Sequence, residues 1–501
     1  MAARGPSVVA SGDRATTECA AELLRAGGNA FDAAVGAGFG ATVAEPALTS
    51  LGGGGFLLAR TAAGASRLFD FFVDTPGDGA IAHEPHFEPV TIRFPGSSQL
   101  FNVGRGSVAV PGTLAGLLHV HERLGRLPLE QVVAPAISLA RNGVELSAAQ
   151  AYFLGLLSPI FNLTEGGRRQ FGLHEGQLSE GRELRNPELA AFLETLPKTR
   201  GHSFYHGEIA RTIEDDLRRD GLLTTRDLAS YRVIERQPLE VPYREFRLLS
   251  NPAPSFGGSL LGLALRLTAE QQLGASEWGS ATHLRTLAAV NVEVARLRES
   301  GSGVGHGIDV AGAESAERIR RVSGGTTHLC VADAEGNVAT LTASNGEGSG
   351  YVVPGTGIML NNMLGEDDLH PEGFHSDPPG VRVSSMMSPS ILLEGDTVRL
   401  AIGSGGSKRI RSAIYQVLTH RIDFGLELQA AIDAPRLHWD GERMQLEPGF
   451  PLESIEAVRN YWPTNLWKRH DVYFGGVQAV EPGVAGAADP RRGGVASRVE
   501  H

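Results

Sequence analysis

The stretch Gly324-Gly325-Thr326-Thr327-His328-Leu329-Cys330-Val331-Ala332-Asp333-Ala334-Glu335-Gly336-Asn337-Val338-Ala339-Thr340-Leu341-Thr342 constrains the fold more than any other. A Gly-Gly break precedes a β-rich run, a Glu335-Gly336-Asn337 turn and a second run in which Val338, Thr340 and Thr342 alternate with Ala339 and Leu341. That is the pattern of a β-hairpin. Its first strand opens with a threonine directly after two glycines. Were the Gly325–Thr326 bond cut, Thr326 would carry a hydroxyl and a free amine on one residue. A hydroxyl is a weak nucleophile at its own pKa, and an adjacent amine acting as base is one way to activate it.

A chain of 501 residues, 42% hydrophobic and 20% charged, has the balance of a globular protein with a well-filled core, as two or three domains or one large α/β unit. Its formal net charge of −12 argues against nucleic acid or an anionic membrane as partner, since both require a basic face. The two cysteines, Cys19 and Cys330, make neither a metal pattern nor a disulfide framework. His328 and His438 read as structural, and nothing in the spacing calls for a metal or a cofactor. No run approaches the roughly 18 apolar residues that would span a bilayer. As given, the chain reads as cytoplasmic; removal of a signal peptide would make it periplasmic or secreted.

Thr16 to Gly27 has helical spacing, with Thr16 or Thr17 as cap, and an Ala/Gly-rich helix is expected from Ala30 to about Val43. Gly52-Gly53-Gly54-Gly55 reads as a tight turn into a core strand rather than a phosphate loop, because no Lys-Ser/Thr follows. Phe56–Arg60 and Ser66–Val73 form a hairpin, followed by a polar loop to about residue 102. Helical periodicity dominates from about 113 to 235. Residues 299–323, polar with a short charged helix near Glu314–Arg321, have the composition of a mobile segment. Gly403-Ser404-Gly405-Gly406-Ser407 is a glycine turn that could aim N–H groups of Gly405 and Gly406 at a developing oxyanion, or a plain strand-to-helix turn.

Several strings resemble the γ-glutamyltranspeptidase family of N-terminal-nucleophile hydrolases. They are Thr326–Asn337, Leu24–Val35, Glu45-Pro46 with Leu51–Phe56, Gly106–Gly116, Phe204–Ala210, Leu223–Tyr231 and Ser250–Leu260. The resemblance implies a four-layer αββα sandwich, α/β (α+β) in class, formed by both halves of a self-cleaved precursor, 1–325 and 326–501, in one domain. It implies Thr326 as nucleophile, positioned by Thr327 and Ser344. Asn345 would hold the donor's amino group, Glu366 or Asp367 would bind the same ammonium, and Ser384 and Ser385 would take the α-carboxylate. The bland alternatives are a capped glycine turn at Ser344–Gly350 and an acidic surface turn at Glu366–Asp368.

Two positions depart from the family pattern. Phe72 stands where an arginine pairs with the donor's α-carboxylate, and Met363 where a glutamine is found; Arg105 or Arg382 could substitute for the arginine. The implied activity is a γ-glutamyltransferase or glutathione hydrolase, passing the acyl group from a small amide donor to water or an amine. The alternatives are an acylase on a non-glutamyl amide and an uncleaved scaffold. The two fragments would stay associated, and a homo-oligomer is left open.

Overall fold

The computed structural model describes residues 5–78, 84–94, 97–171, 178–299, 325–367, 369–370 and 373–500. The segment expected to be mobile, 299–323, lies outside the described residues but for its first. Two antiparallel sheets carry the architecture. In chain order their strands are β1 (Ser7–Ser11), β2 (Gly54–Arg60), β3 (Ser66–Phe71), β4 (Ile234–Arg236), β5 (Leu239–Tyr243), β6 (Phe246–Ser250), β7 (Thr327–Ala332), β8 (Val338–Ser344), β9 (Ser390–Glu394), β10 (Thr397–Gly405), β11 (Gly476–Glu481), β12 (Ala485–Ala488) and β13 (Val495–Val499). The first sheet has the order β13-β1-β7-β8-β2-β3-β4 and the second β12-β11-β10-β9-β6-β5.

The expected hairpin is at the centre of the first sheet. Thr327 pairs with Ala343 and Ala332 with Val338, and Gly336 takes the positive φ of +97° that the turn requires. Side chains alternate across a strand. Cys330 and Ala332 therefore join the core between the two sheets, while Leu329 and Val331 join the core under the outer helices. Those helices are α1 (Arg14–Arg25), α2 (Ala30–Ala44), α3 (Thr113–Leu124) and α4 (Leu129–Asn142); α5 (Phe256–Ala269) and α7 (Arg409–Ile422) cover the second sheet, and α6 (Ala281–Glu299) packs on α5. Helix, sheet, sheet, helix is the expected four-layer αββα sandwich.

Helix α2 is buried on every side, as an Ala/Gly-rich helix without a polar face must be. Asn29 and Asp32 form a reciprocal capping box at its start. Helix α1 begins earlier than its threonines suggest: Asp13 accepts from the Ala15 N–H and is the cap. Thr16 and Thr17 are instead drawn into tertiary bonds. The polar stretch before residue 103 is also not all loop, since Glu88–Phe94 and Ser97–Val103 pair as a hairpin. Gly52 and Gly53 lead into β2, whose first two residues are Gly54 and Gly55. Gly53 offers its carbonyl to the N–H groups of Gly112 and Thr113, at 2.8 and 3.0 Å, so that carbonyl is committed to the neighbouring turn.

Candidate active site

Extending the β7–β8 register by one residue sets Thr326 opposite Ser344, on the face that looks into the gap between the sheets. Thr326 and Thr327 are each 6% exposed and Ser344 is 3% exposed. The Ser344 hydroxyl donates to the Gly325 carbonyl oxygen, the carbonyl of the Gly325–Thr326 bond. It accepts in turn from the Gly346 N–H at 3.0 Å. A side chain at Gly325 would run into the Gly346 carbonyl, so glycine is needed for this approach.

Strand β10 faces β7 across the gap. A Cβ at Gly403 would enter the His328 ring, and one at Gly405 would enter the Thr326 carbonyl oxygen. Two glycines two residues apart thus let the sheets close on β7. The second brings the Gly405-Gly406 turn against Thr326, with Gly406 at φ +123°. His328 is structural, as expected. Its ring bonds Thr342 at 2.8 Å, Thr340 at 3.1 Å and the Cys330 thiol at 3.1 Å, and burial depresses its pKa to about 3. His438 is buried and bonds the Ser412 hydroxyl at 2.9 Å.

Alternation sends Thr327 to the opposite face, where its hydroxyl donates to Glu45 Oε2 at 2.6 Å. The Thr16 hydroxyl donates to Oε1 of the same carboxyl at 2.8 Å. Burial, and secondarily Asp13, push the Glu45 carboxyl up to about 8, against the two hydroxyl bonds and the Arg492 charge. Arg492 donates to the Thr326 carbonyl at 3.3 Å. It is presented by a turn, Pro490–Arg492, that Asp489 caps. Asp489 pairs with Arg436 at 2.7 Å, and Arg491 with Glu447 at 2.5 Å, all four of these side chains at 0–1% exposure. Glu45 and Arg492 were not singled out as site residues from the sequence; their partners lie 282 and 166 positions away, beyond any local pattern.

The remaining expected residues fall into two groups. Asn345 follows Ser344, donating its N–H to the Leu48 carbonyl at 3.3 Å and its amide to the Leu360 carbonyl at 3.4 Å. Glu366 abuts Gly346, close enough that a Cβ there would strike its Oε1. Both therefore sit beside the loop that holds the Gly325 carbonyl. Asp367 is half-buried, its carbonyl accepting from the His370 N–H at 3.3 Å. Ser384 bonds the Leu369 carbonyl at 3.3 Å. Ser385 is buried, its hydroxyl accepting from the Met387 N–H at 3.2 Å and its carbonyl receiving the first N–H groups of α5.

The positions that depart from the family pattern are core positions. Phe72 is 1% exposed and stacks on Phe56 at 5.6 Å, and Met363 is 1% exposed. Arg382 does not replace the missing arginine. Its Nε donates to Asp74 at 2.6 Å, Nη1 to Asp70 at 2.8 Å and Nη2 to the Arg232 carbonyl at 2.7 Å, so every guanidinium nitrogen is committed inside the fold. Arg105 lies over the Tyr351 ring, 5.3 Å from its centroid, on a turn packed against Met363–Gly365. Among the described residues no cluster of three or more His, Cys, Asp or Glu side chains could hold a metal.

Two stacked antiparallel sheets between helical layers, with the glycine-preceded head of a central strand in the gap, define the N-terminal-nucleophile hydrolase class. The family model described as gamma-glutamyltranspeptidase matches residues 16–300 and 307–499. The chain belongs to the γ-glutamyltranspeptidase family and is an enzyme of that family's hydrolase type. It is 29% identical over 532 residues to the glutathione hydrolase proenzyme of Escherichia coli (strain K12), covering 97% of this chain and 90% of that protein. It is 32% identical over 467 residues to the acylase ACY 1 proenzyme of Pseudomonas sp. (strain V22), covering 87% and 83%. Among solved structures, the cephalosporin acylase from Bacillus halodurans superposes with a TM-score of 0.82 at 26% identity, covering 99% of this chain and 96% of that one.

Proposed function

We propose that the enzyme processes itself at Gly325–Thr326 and then cleaves amides with Thr326 as nucleophile. The observation that carries this is the Ser344 hydroxyl bonded to the Gly325 carbonyl, with the Gly405-Gly406 turn packed against Thr326. In the first reaction the Thr326 Oγ attacks the Gly325 carbonyl carbon, the C–N bond breaks, and the nitrogen leaves as the free α-amine. Water then hydrolyses the ester, leaving a carboxylate at Gly325 and restoring the Thr326 hydroxyl. In the mature enzyme that hydroxyl attacks the substrate amide carbonyl while the α-amine takes its proton and delivers it to the leaving amine. Water or an acceptor amine discharges the acyl group. Both sheets contain strands from 1–325 and from 326–501, so the fragments stay interlocked by ladder hydrogen bonds.

Two substrate readings remain. A γ-glutamyl donor of the glutathione type accords with the glutathione hydrolase relatives and with Glu366 beside the site loop as partner for an ammonium. An acyl group without an α-carboxylate clamp accords with the acylase relatives, and the burial of Phe72 together with the commitment of Arg382 favours it. Turnover of γ-glutamyl-p-nitroanilide against a simple acyl-p-nitroanilide separates them. Faster acyl turnover supports the unclamped reading; exclusive γ-glutamyl turnover restores the first. Failure of a Thr326→Ala variant to lose activity on both would remove the nucleophile assignment itself.

A further inference from the structure

Glu45 takes no part in the chemistry above, yet its carboxyl is buried behind the nucleophile strand. It ends α2 and receives one hydroxyl from α1, Thr16, and one from β7, Thr327, at 2.8 and 2.6 Å. Room for the second bond is made by Gly12, where a Cβ would lie 2.6 Å from Glu45 Oε2 and 3.0 Å from the Thr327 hydroxyl. The charged groups that act on Glu45 are Asp13, at the start of α1, and Arg492, which also bonds the Thr326 carbonyl.

We propose that Glu45 is a positioning residue for the reaction at Thr326, acting through Thr327: it fixes the head of β7 from the helical side while Arg492 fixes the Thr326 carbonyl. This rests on the reading of Thr326 as nucleophile. Holding the peptide unit from both sides orients the Thr326 amine that must serve as base. The protonation state of Glu45 decides the local charge. While Glu45 holds its proton, the Arg492 cation disfavours a second positive charge on the amine and keeps it a free base. When Glu45 ionises, its negative charge competes with the Thr326 carbonyl for the Arg492 guanidinium, the hold on that carbonyl loosens, and the rate falls. Burial places that ionisation at about 8.

The test compares wild type, Glu45→Gln, Gly12→Ala and Thr327→Ser across pH 6–10, using the p-nitroanilide that wild type turns over and the conversion of precursor to fragments. Glu45→Gln is expected to lower kcat several-fold at pH 6, to leave KM within two-fold and to abolish the alkaline fall near pH 8. Gly12→Ala, which crowds both ends of the Glu45–Thr327 bond while leaving both side chains chemically unchanged, should lower kcat in the same way. Thr327→Ser, which keeps the hydroxyl that bonds Glu45, should keep the alkaline fall that Glu45→Gln loses, whatever its kcat. An alkaline fall in Glu45→Gln that matches wild type, with kcat unchanged, overturns the inference even if one other variant fails to fold. A wild-type chain that never releases a fragment beginning at Thr326 overturns both this inference and the reading beneath it; normal release with indistinguishable variants overturns this inference alone.

Discussion

The Ser344 hydroxyl donates to the Gly325 carbonyl oxygen, so the carbonyl that Thr326 would attack is already engaged by a donor on the neighbouring strand. The Gly346 N–H holds that hydroxyl from behind at 3.0 Å. As the attack proceeds the oxygen gains negative charge, and a preplaced donor stabilises the charge without reorganising. Ser344→Ala is expected to slow conversion of the precursor about 100-fold, the usual scale for losing one such donor. Ser344→Thr, which keeps the hydroxyl, should convert faster than the alanine variant. Band densities over time in a denaturing gel read both rates; equal rates for Ser344→Ala and wild type would contradict the assignment.

Gly405 carries a steric prediction. A methyl there meets the Thr326 carbonyl oxygen, which is backbone and cannot swing away. Gly405→Ala should lower stability by about 1–3 kcal/mol, as overpacking does, and reduce kcat by about 100-fold or more because the turn is pushed off Thr326. Thermal unfolding and steady-state kinetics measure the two effects. A fully active Gly405→Ala enzyme would remove this turn from the site.

How much of this was legible in the sequence follows from how local each signal is. The β7–β8 hairpin is set by alternation and a Glu-Gly-Asn turn within 19 consecutive residues, and it formed as read. The start of α1 is ambiguous locally, because Asp13, Thr16 and Thr17 are all good caps. Long-range bonds decided it: Thr16 goes to Glu45, and Thr17 to the Val495 carbonyl at 3.0 Å. The 88–103 hairpin carries a Pro95-Gly96 turn dipeptide between its arms, but the polar and charged residues among Val90, Ile92, Phe101 and Val103 made the arms read as loop. Phe72 and Met363 were legible as departures, but only packing placed them in the core, and only the Asp70 and Asp74 contacts committed Arg382.

Arg382 is therefore expected to matter for folding rather than for substrate. Removing it takes from Asp74, at 15% side-chain exposure, the arginine that bonds it and leaves Asp70, at 1%, with Arg236 alone at 2.8 Å, and breaking such a buried pair costs about 3–5 kcal/mol. Arg382→Ala should lower the denaturation midpoint strongly, with KM of the remaining folded enzyme unchanged. A raised KM at unchanged stability would return Arg382 to the substrate site.

Glu45 ties stability to pH with a definite sign. Its carboxyl rises from 4.5 to about 8 on folding, so the folded state keeps a proton that the unfolded chain releases. That contribution is whole below about pH 4.5 and is lost as pH rises through about 8, at no more than about 1.4 kcal/mol per pH unit. Glu45→Gln should flatten this part of the stability profile, measured as urea midpoints at constant ionic strength. Parallel profiles would show that Glu45 is ionised throughout.

The most direct test of the account is intact-mass spectrometry with N-terminal sequencing of the purified protein beside a Thr326→Ala variant. The account predicts two fragments from wild type, the smaller beginning Thr-Thr-His-Leu, and a single uncut chain from the variant. A wild-type chain that stays whole while remaining active, or a cut at any other bond, would contradict it.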